Sequence, residues 1–184
     1  MTVSACKVFH RICFNFILSA CIIILISCGS RSRLPLTADD PSHSPDSLVK
    51  YNKEISQKED GEIEDFVARY QWKMNRTTTG LRYMIYRHGT GPKAEKGRKA
   101  TLEYTVRLIT GDICYSSEKN GPKVFEIGHG GVESGLEEGI LLLRVGDRAK
   151  FIVPSHLAFG LLGDQDKIPP KSTLIYDIEL IKLN

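Results

Sequence analysis

Residues 134–153 read SGLEEGILLLRVGDRAKFIV and place two kinds of secondary structure next to each other. In the first half, Leu136, Ile140 and Leu143 recur at the spacing of one helix face. In the second half, Ala149–Val153 predicts a strand. This stretch therefore predicts a short helix that lies among strands.

The two ends of this segment carry their own signals. Ser134 and Glu137 fit a capping box, in which the hydroxyl and the carboxylate close the first helical turn. Gly146-Asp147 ends the segment before the next strand begins. We therefore expect a helix with a defined start and a sharp stop.

Four more segments read as strands, and two of them alternate clearly along their length. In the last one, Leu174, Tyr176 and Ile178 fall on one face and Asp177 on the other. A Thr110-Gly111-Asp112 turn separates two of the segments. These strands are Leu81–Tyr86, Ala100–Ile109, Lys123–Ile127 and Leu174–Leu183. Several antiparallel strands, a single central helix and a helical prefix predict an α+β domain.

Residues 47–75 read as a helical extension in front of the strands. Its apolar stripe consists of Ile63, Phe66, Val67 and Tyr70. This is the i, i+3, i+4, i+7 spacing of an amphipathic helix, and Gly61 is a candidate break between two helices. We expect the stripe to pack on the domain that follows; packing on a partner, including a second copy of the chain as a homodimer, is the alternative.

Residues 1–27 have the layout of a secretory signal peptide. A cationic start is followed by an apolar run of about 15 residues, which is shorter than the roughly 20 that span a bilayer as a helix. The run ends in Leu25-Ile26-Ser27-Cys28, which resembles a bacterial lipobox. Cleavage there would leave Cys28 to carry lipid, whereas an uncleaved anchor is the alternative. Residues 28–46 are polar and proline-containing and are predicted to form a disordered tether.

We therefore expect an exported protein that is attached to a membrane through Cys28. Gly29 is not the aspartate that marks inner-membrane retention in enteric bacteria, and the residues after it are basic, as in Arg31 and Arg33. An acidic run of the kind linked to surface export in Bacteroidetes is missing. These features favour an outer-membrane lipoprotein that faces the periplasm.

The charge, cysteine and histidine content of the chain limits which partners and cofactors can be expected. Removing Lys7 and Arg11 with the leader leaves 23 of the 25 basic side chains against 22 acidic ones. This balance does not favour nucleic acid, which calls for a clustered basic face. Beyond Cys28 the chain has one cysteine, Cys114, so an intrachain disulfide is not expected, and a small buried residue is favoured over a reactive thiol. The five histidines lack ligand spacing, so we predict no metal and no cofactor.

Six ordered blocks resemble the FKBP-type peptidyl-prolyl cis-trans isomerases. They read FEIG (125–128), VESGLEEG (132–139), VGDRAKFIVP (145–154), LAFG (157–160), IPP (168–170) and TLIYDIEL (173–180). The resemblance runs over residues 79–184 and keeps order and spacing. The lipobox, the helical prefix and Tyr115-Ser116-Ser117 are also similar to the Bacteroidetes branch linked to gliding motility.

The resemblance implies a bent antiparallel sheet wrapped around the short helix, with an apolar pocket between them. Carried over by position, the pocket residues are Tyr104, Phe125, Val132, Leu136, Ile168 and Tyr176, with Phe159 on the loop above. Glu133 stands where the family uses a backbone N–H to bind the substrate carbonyl. Rotation about an X-Pro bond breaks no covalent bond, so a dry pocket that favours the twisted amide suffices without a nucleophile or base.

Several positions depart from the family pattern. Cys114-Tyr115 replace an aromatic residue followed by aspartate, and Lys123 replaces an aromatic residue at the rim. Leu136 replaces the usual tryptophan floor, and Phe159 replaces a tyrosine. Tyr115 could fill the space of the missing rings or supply a different hydroxyl. We expect reduced or altered isomerase activity rather than its loss.

Three classes of function follow from these residues. The first is an isomerase that acts on exported, proline-containing polypeptides. The second is a proline-binding chaperone or assembly factor of an envelope machine without turnover. The third is a structural lipoprotein that keeps only the fold, which exposure of the apolar stripe around Phe66 would favour.

Overall fold

The structure, a computed structural model, describes residues 45–184. Its elements are α1 (Pro45–Arg69), β1 (Asn75–Arg76), β2 (Arg82–Arg87), β3 (Lys99–Leu108), β4 (Ile113–Ser116), α2 (Ser117–Asn120), β5 (Lys123–Glu126), α3 (Ser134–Ile140), β6 (Arg148–Val153) and β7 (Leu174–Leu183). The predicted signal peptide, Cys28 and nearly all of the tether lie outside the described residues. Within 45–184, no helix has both the length and the apolar character that crossing a membrane requires.

The strands form one antiparallel sheet in the order β1-β2-β6-β7-β3-β4. β5 and β4 share one edge of β3, where β5 pairs with residues 99–102 and β4 with residues 105–107. The five predicted strands occur within one residue of their expected ends. β1 and β4 were not predicted. β1 has two residues, both polar, and the four residues of β4 directly follow a predicted turn and do not alternate between apolar and polar side chains. The expected α+β architecture is confirmed.

α3 packs on one face of the sheet. Leu136, Ile140 and Leu143 belong to the main core, as their spacing predicted. Gly139 lets the helix approach closely, since a Cβ there would stand 2.4 Å from Cε2 of Phe151. Leu136 and Ile140 form the inner side of α3. The start of this helix borders the cavity described below.

The predicted capping box at the start of α3 is wrong. The N-cap residue is Glu133, one position earlier, and its side chain makes no capping hydrogen bond. The Ser134 hydroxyl instead donates to the Leu157 carbonyl at 3.2 Å. The Glu137 carboxylate accepts from the Gly130 N–H at 2.9 Å. Both polar side chains therefore tie the helix to neighbouring loops rather than to its own first turn.

α1 packs on the opposite face of the sheet. Ile63 is fully buried against Ile152 and Ile175, with Phe66 and Val67 partly buried beside them. Ile152 and Ile175 alternate along their strands with side chains of the main core, so they point to the other face. The expectation that the stripe packs on its own domain is confirmed except at Tyr70, which is 55% exposed.

Gly61 does not divide α1, which is one helix of 25 residues. A glycine in a helix interior costs about 1 kcal/mol. The apolar anchor at Ile63 and the charged contacts of Asp60 and Glu64 hold the helix on both sides of this position. Tertiary packing therefore outweighs the local preference of glycine.

α1 ends at Arg69, so the predicted extension to residue 75 is too long. Gln71 takes up a left-handed conformation (φ 53°), which no helix continues. Its N–H donates to the Ala68 carbonyl at 3.1 Å, and the Trp72 N–H donates to the Val67 carbonyl at 3.1 Å. These two bonds form a Schellman motif, which satisfies carbonyls at the helix end.

A buried cation joins α1 to the sheet. Arg82 on β2 is 2% exposed, and its guanidinium contacts Asp60 at 2.5 Å and Glu64 at 2.7 Å. It also donates to the Gly80 carbonyl at 2.7 Å. A buried charge is tolerated when it is paired and hydrogen-bonded in this way. α1 is thereby held to the sheet by charged as well as apolar contacts.

Candidate active site

A cavity of about 330 Å³ opens beside the start of α3. It is lined by Tyr104, Val106, Tyr115, Asn120, Lys123, Glu133, Phe159, Asp164 and Tyr176. The residues come from four strands, the ends of two helices and the long connection between β6 and β7. We call this connection, residues 154–173, the pocket loop.

Four aromatic rings dominate the lining. Tyr104 and Tyr176 lie on the adjacent central strands β3 and β7, and Tyr115 lies on β4. Phe159 comes from the pocket loop and is only partly buried. Strand alternation places Tyr104 and Tyr176 on the α3 side of the sheet. Strands therefore hold three of the rings, and the pocket loop supplies the fourth.

The structure divides the predicted pocket residues into two groups. Those that line the cavity are Tyr104, Tyr115, Glu133, Phe159 and Tyr176. Those that belong to the core or pack against it are Phe125, Val132, Leu136 and Ile168. Leu136, the predicted pocket floor, belongs to the same core cluster as the lining residues Val106 and Tyr176.

Tyr115 joins β4 to the pocket loop. Its hydroxyl donates to Asp164 in a short contact and lies 3.2 Å from Asp166. The hydrogen bond to Asp164 is the main cause that raises the pKa of Tyr115 above its usual value. The sequence left open what Tyr115 does; its ring lines the cavity and its hydroxyl fastens the loop.

Asp164 is the centre of a turn in the pocket loop. One carboxylate oxygen accepts from the N–H of Asp166 at 3.0 Å and from the N–H of Ile168 at 2.7 Å. Although burial opposes ionisation, the Tyr115 hydroxyl and these N–H groups lower the pKa of Asp164 below its usual value. The group is thus a charged acceptor that orders the loop.

Two buried polar atoms at the cavity have no hydrogen-bond partner in the described part of the chain. They are the Tyr176 hydroxyl and Oε2 of Glu133. Lys123 Nζ lies 3.8 Å from Oε2, which is an ion pair but too long for a hydrogen bond. Burial, followed by the Glu133 carboxylate, raises the pKa of Tyr176 well above its usual value. The Tyr176 hydroxyl and the Glu133 carboxylate are thus two buried polar groups that influence each other at the cavity wall.

Two lysines border the aromatic walls. Lys123 Nζ lies 5.8 Å from the centre of the Tyr104 ring, and Lys167 Nζ lies 4.8 Å from that of Tyr115. Both distances suit cation–π attraction. Lys123, which replaces a rim aromatic of the family, therefore interacts with one aromatic wall.

Cys114 lies behind the cavity as a buried thiol, as predicted. Its Sγ is 3.7 Å from the Lys167 carbonyl. Burial raises the pKa of Cys114, so the thiolate is disfavoured. The cavity lining itself contains no serine, cysteine or histidine. The arrangement suits non-covalent chemistry on an apolar group.

Sequence reasoning missed three lining residues: Val106, Asn120 and Asp164. Val106 lies on the predicted apolar face of β3, so its alternation with Tyr104 is a signal that points to it. Asp164 stands two residues before Asp166 in a turn, and an Asx turn of this kind can be read locally. Asn120 belongs to the four-residue helix α2, which gave no pattern.

The comparisons with known proteins agree with this fold and pocket. The sequence model of the FKBP-type peptidyl-prolyl cis-trans isomerase family matches residues 91–181. The chain is 44% identical over 95 residues to the peptidyl-prolyl cis-trans isomerase Fkbp12 of Drosophila melanogaster, covering 51% of this chain and 86% of that protein. The chain belongs to the FKBP-type peptidyl-prolyl cis-trans isomerase family, an enzyme class.

Two bacterial relatives extend the comparison. A probable FKBP-type peptidyl-prolyl cis-trans isomerase, FkpA, of Neisseria meningitidis is 41% identical over 108 residues, covering 58% of this chain and 39% of that protein. The crystal structure of FkpA from Escherichia coli aligns with a TM-score of 0.62 at 28% identity, covering 75% of this chain and 64% of that one. The chain thus spans less than two thirds of either bacterial relative.

Proposed function

We propose that this chain catalyses cis-trans isomerisation of X-Pro bonds in exported proteins. The observation that carries the proposal is the aromatic cavity, in which Tyr104, Tyr115, Phe159 and Tyr176 surround about 330 Å³ in a member of an isomerase family. A proline ring is small and apolar, and it can fill such a cavity without any covalent step.

The mechanism follows from the energetics of the amide. Rotation about a peptide bond faces a barrier of about 18–20 kcal/mol because resonance is lost. The twisted amide is less dipolar than the planar one, so a cavity with apolar walls disfavours the planar ground state more than the twisted transition state. Such differential binding is catalysis. A thousandfold acceleration requires about 4 kcal/mol.

The pocket residues divide the work between them. Tyr104, Phe159 and Tyr176 would hold the proline ring and exclude water. The backbone N–H of Glu133 would bind the substrate carbonyl, as the family resemblance implies. Tyr115 would act indirectly, because its hydroxyl holds the pocket loop in place. Where the family has an aspartate, this chain would therefore have a hydroxyl that orders the loop.

A protease-free isomerase assay on the purified full chain with X-Pro peptides tests this proposal. Phe159→Ala should lower kcat/KM by about tenfold or more, because a pocket wall is lost. Val124→Ala is the control, since Val124 on β5 is 60% exposed and lies outside the lining. A folded wild-type chain that shows no turnover would refute the enzyme function.

A second candidate function is a proline-binding chaperone or assembly factor of an envelope or gliding machine. The pocket loop exposes Leu161 and Leu162, at 67% and 72%, next to the pocket. Such side chains can contact apolar client segments without turnover. Saturable binding of a proline peptide by a chain that does not isomerise it would support this function over the first.

We propose that the chain acts as a lipoprotein of the outer membrane, facing the periplasm. The lipobox at Cys28 and its resemblance to the Bacteroidetes branch linked to gliding motility support this location. Incorporation of a clickable fatty acid by the chain, and its absence in Cys28→Ser, would be the expected result. Equal labelling of both chains would rule out Cys28 as the lipid site.

A homodimer through α1 is the remaining proposal about partners. Since Ile63 packs on its own sheet, a dimer would have to use the exposed side chains of α1, such as Leu48, Val49 and Tyr51. Sedimentation of the chain at several concentrations tests this, and a monomer at all of them would exclude it.

A further inference from the structure

One carboxylate of α1 reaches across to the pocket loop. Glu59 Oε1 accepts from the Ser155 N–H at 2.6 Å and from the Thr173 hydroxyl at 2.6 Å. Its other oxygen accepts from the Ser155 hydroxyl at 2.9 Å. Ser155 and Thr173 are both buried, so these donors have lost water and the carboxylate replaces it. Three donors therefore converge on a single side chain.

The two residues that Glu59 binds are the two ends of the pocket loop. Ser155 comes two residues after β6 ends, and Thr173 comes directly before β7 begins. β6 and β7 are neighbours in the sheet, so the loop leaves and returns at the same place. A bond from one carboxylate to both ends closes the base of the loop.

The base of the loop is connected to the cavity wall by short backbone bonds. The Ser155 carbonyl accepts from the Gly160 N–H at 2.8 Å, and the Gly160 carbonyl accepts from the Lys171 N–H at 2.8 Å. Phe159 directly precedes Gly160 and lines the cavity. A displacement of Ser155 would therefore move Phe159 through two links.

Glu59 is itself held in place by its neighbour in the chain. Asp60 contacts the buried Arg82 of β2 at 2.5 Å, and Ile63 is fully buried one turn further on. The carboxylate thus projects from a helix that is fixed to the sheet. A rigid support is what a positioning contact needs.

We infer that Glu59 is a positioning residue for the pocket: it sets the pocket loop so that Phe159 closes the aromatic wall. This rests on the proposed isomerase function and adds α1 to the active unit of the chain. The helical extension is then part of the support of the pocket. This extension determines how tightly the Phe159 ring is held.

The test compares Glu59→Ala with Glu62→Ala in the full chain. Glu62 lies about one turn along α1, and its Oε1 is 3.9 Å from Nζ of the exposed Lys58. It is therefore the matched control. Glu59→Ala should lower kcat/KM by about tenfold to a hundredfold, because a misplaced wall weakens transition-state binding. Glu62→Ala should leave kcat/KM unchanged. Glu59→Gln keeps the shape and one acceptor and should fall between them.

A double-mutant cycle separates positioning from general destabilisation. If Glu59 acts through Phe159, then Glu59→Ala combined with Phe159→Ala should lose no more activity than Phe159→Ala alone. Independent, multiplying losses would overturn the inference. So would a Glu59→Ala chain with wild-type kcat/KM.

Hydrogen exchange keeps the inference testable if turnover is never seen. In Glu59→Ala the amides of Gly160 and Lys171 should exchange faster by about tenfold or more, while that of Val106 in β3 stays slow. A wild-type chain without turnover would refute the proposed function but not this result. Unchanged exchange at Gly160 and Lys171 would refute the role of Glu59 whatever the activity.

Discussion

Tyr176 combines a fully packed ring with an unsatisfied hydroxyl. It is 1% exposed, and its OH has no hydrogen-bond partner among the described residues. A buried polar group without a partner costs about 1–3 kcal/mol. A buried hydroxyl at the cavity wall is therefore expected to lower the stability of the fold, a cost that is frequent at functional sites.

Tyr176→Phe should raise the free energy of unfolding by about 1 kcal/mol, because the desolvated hydroxyl is removed. Tyr86→Phe is the opposite control, since the Tyr86 hydroxyl donates to Asp177 at 2.6 Å and its removal should lower stability. Urea unfolding of the wild-type chain, Tyr176→Phe and Tyr86→Phe measures both changes in the free energy of unfolding. A destabilised Tyr176→Phe would mean that the hydroxyl has a partner.

Tyr115 shows how one substitution changes a site. Tyr115→Phe keeps the ring in the cavity but removes the donor to Asp164 and Asp166. The pocket loop should become more mobile and KM should rise severalfold, with a stability loss of about 1 kcal/mol or less because the loop is near the surface. Isomerase kinetics with thermal unfolding test this; an unchanged KM would show that the hydroxyl does not order the pocket.

At the scale of elements, glycines act in opposite ways on α1 and α3. Gly61 lies in an exposed helix interior, and a Cβ there would meet nothing within 4 Å. Gly139 lies against Phe151, where a Cβ would stand 2.4 Å from the ring. The same residue type is therefore dispensable in one helix and required by packing in the other.

Gly61→Ala should stabilise the chain by about 0.5–1 kcal/mol, since alanine loses less backbone entropy in a helix. Gly139→Ala should destabilise it by about 1–3 kcal/mol through overpacking. Thermal unfolding of both variants shows whether each change raises or lowers the stability. A Gly61→Ala chain that melts earlier would mean that this position makes a contact which the helix needs.

At the scale of the whole molecule, ionised carboxylates hold the outer parts to the sheet. Asp60 joins α1 to Arg82, and Asp164 orders the pocket loop. Although burial opposes it, the Arg82 guanidinium lowers the pKa of Asp60 below its usual value. Such a group stabilises the fold above its unfolded pKa, near 3.9, and loses that contribution as pH falls through the folded value.

We therefore expect that these two carboxylates cause no change in stability near neutral pH. Below about pH 4 their protonation should lower the stability. The Tm measured from pH 7 to pH 2.5 tests this. In Asp60→Asn the drop should be shallower, because one of the groups no longer titrates. A Tm that is constant down to pH 2.5 would contradict the role of these carboxylates.

Local patterns were enough for most of the fold. The alternation along β7 and the helical spacing of Leu136 and Ile140 predicted elements that the structure places as expected. The ordered blocks from residue 125 onward led to the family. These signals can be read because burial on a pleated strand or a helix face repeats with the period of the element.

Two details failed because each depends on the surroundings of a side chain. Ser134 and Glu137 match a capping box, but each finds a partner in a neighbouring loop instead. Gly61 looks like a break, but packing on the sheet keeps α1 continuous. The role of Leu136 as pocket floor stays a prediction: the residue lies in the same core cluster as Tyr176, which lines the cavity.

The chain's local patterns thus specify five of the seven described strands, the central helix, the apolar stripe and the family. The contacts of Tyr115 with Asp164 and of Glu59 with Ser155 and Thr173 emerge only once the chain is folded. So does the Tyr176 hydroxyl, which is buried without a hydrogen-bond partner in residues 45–184. These groups lie 49 to 114 residues apart in their bonded pairs, so no periodic pattern links them. Periodicity reports which side of an element is buried, whereas hydrogen-bond partners are chosen by the meeting of distant segments.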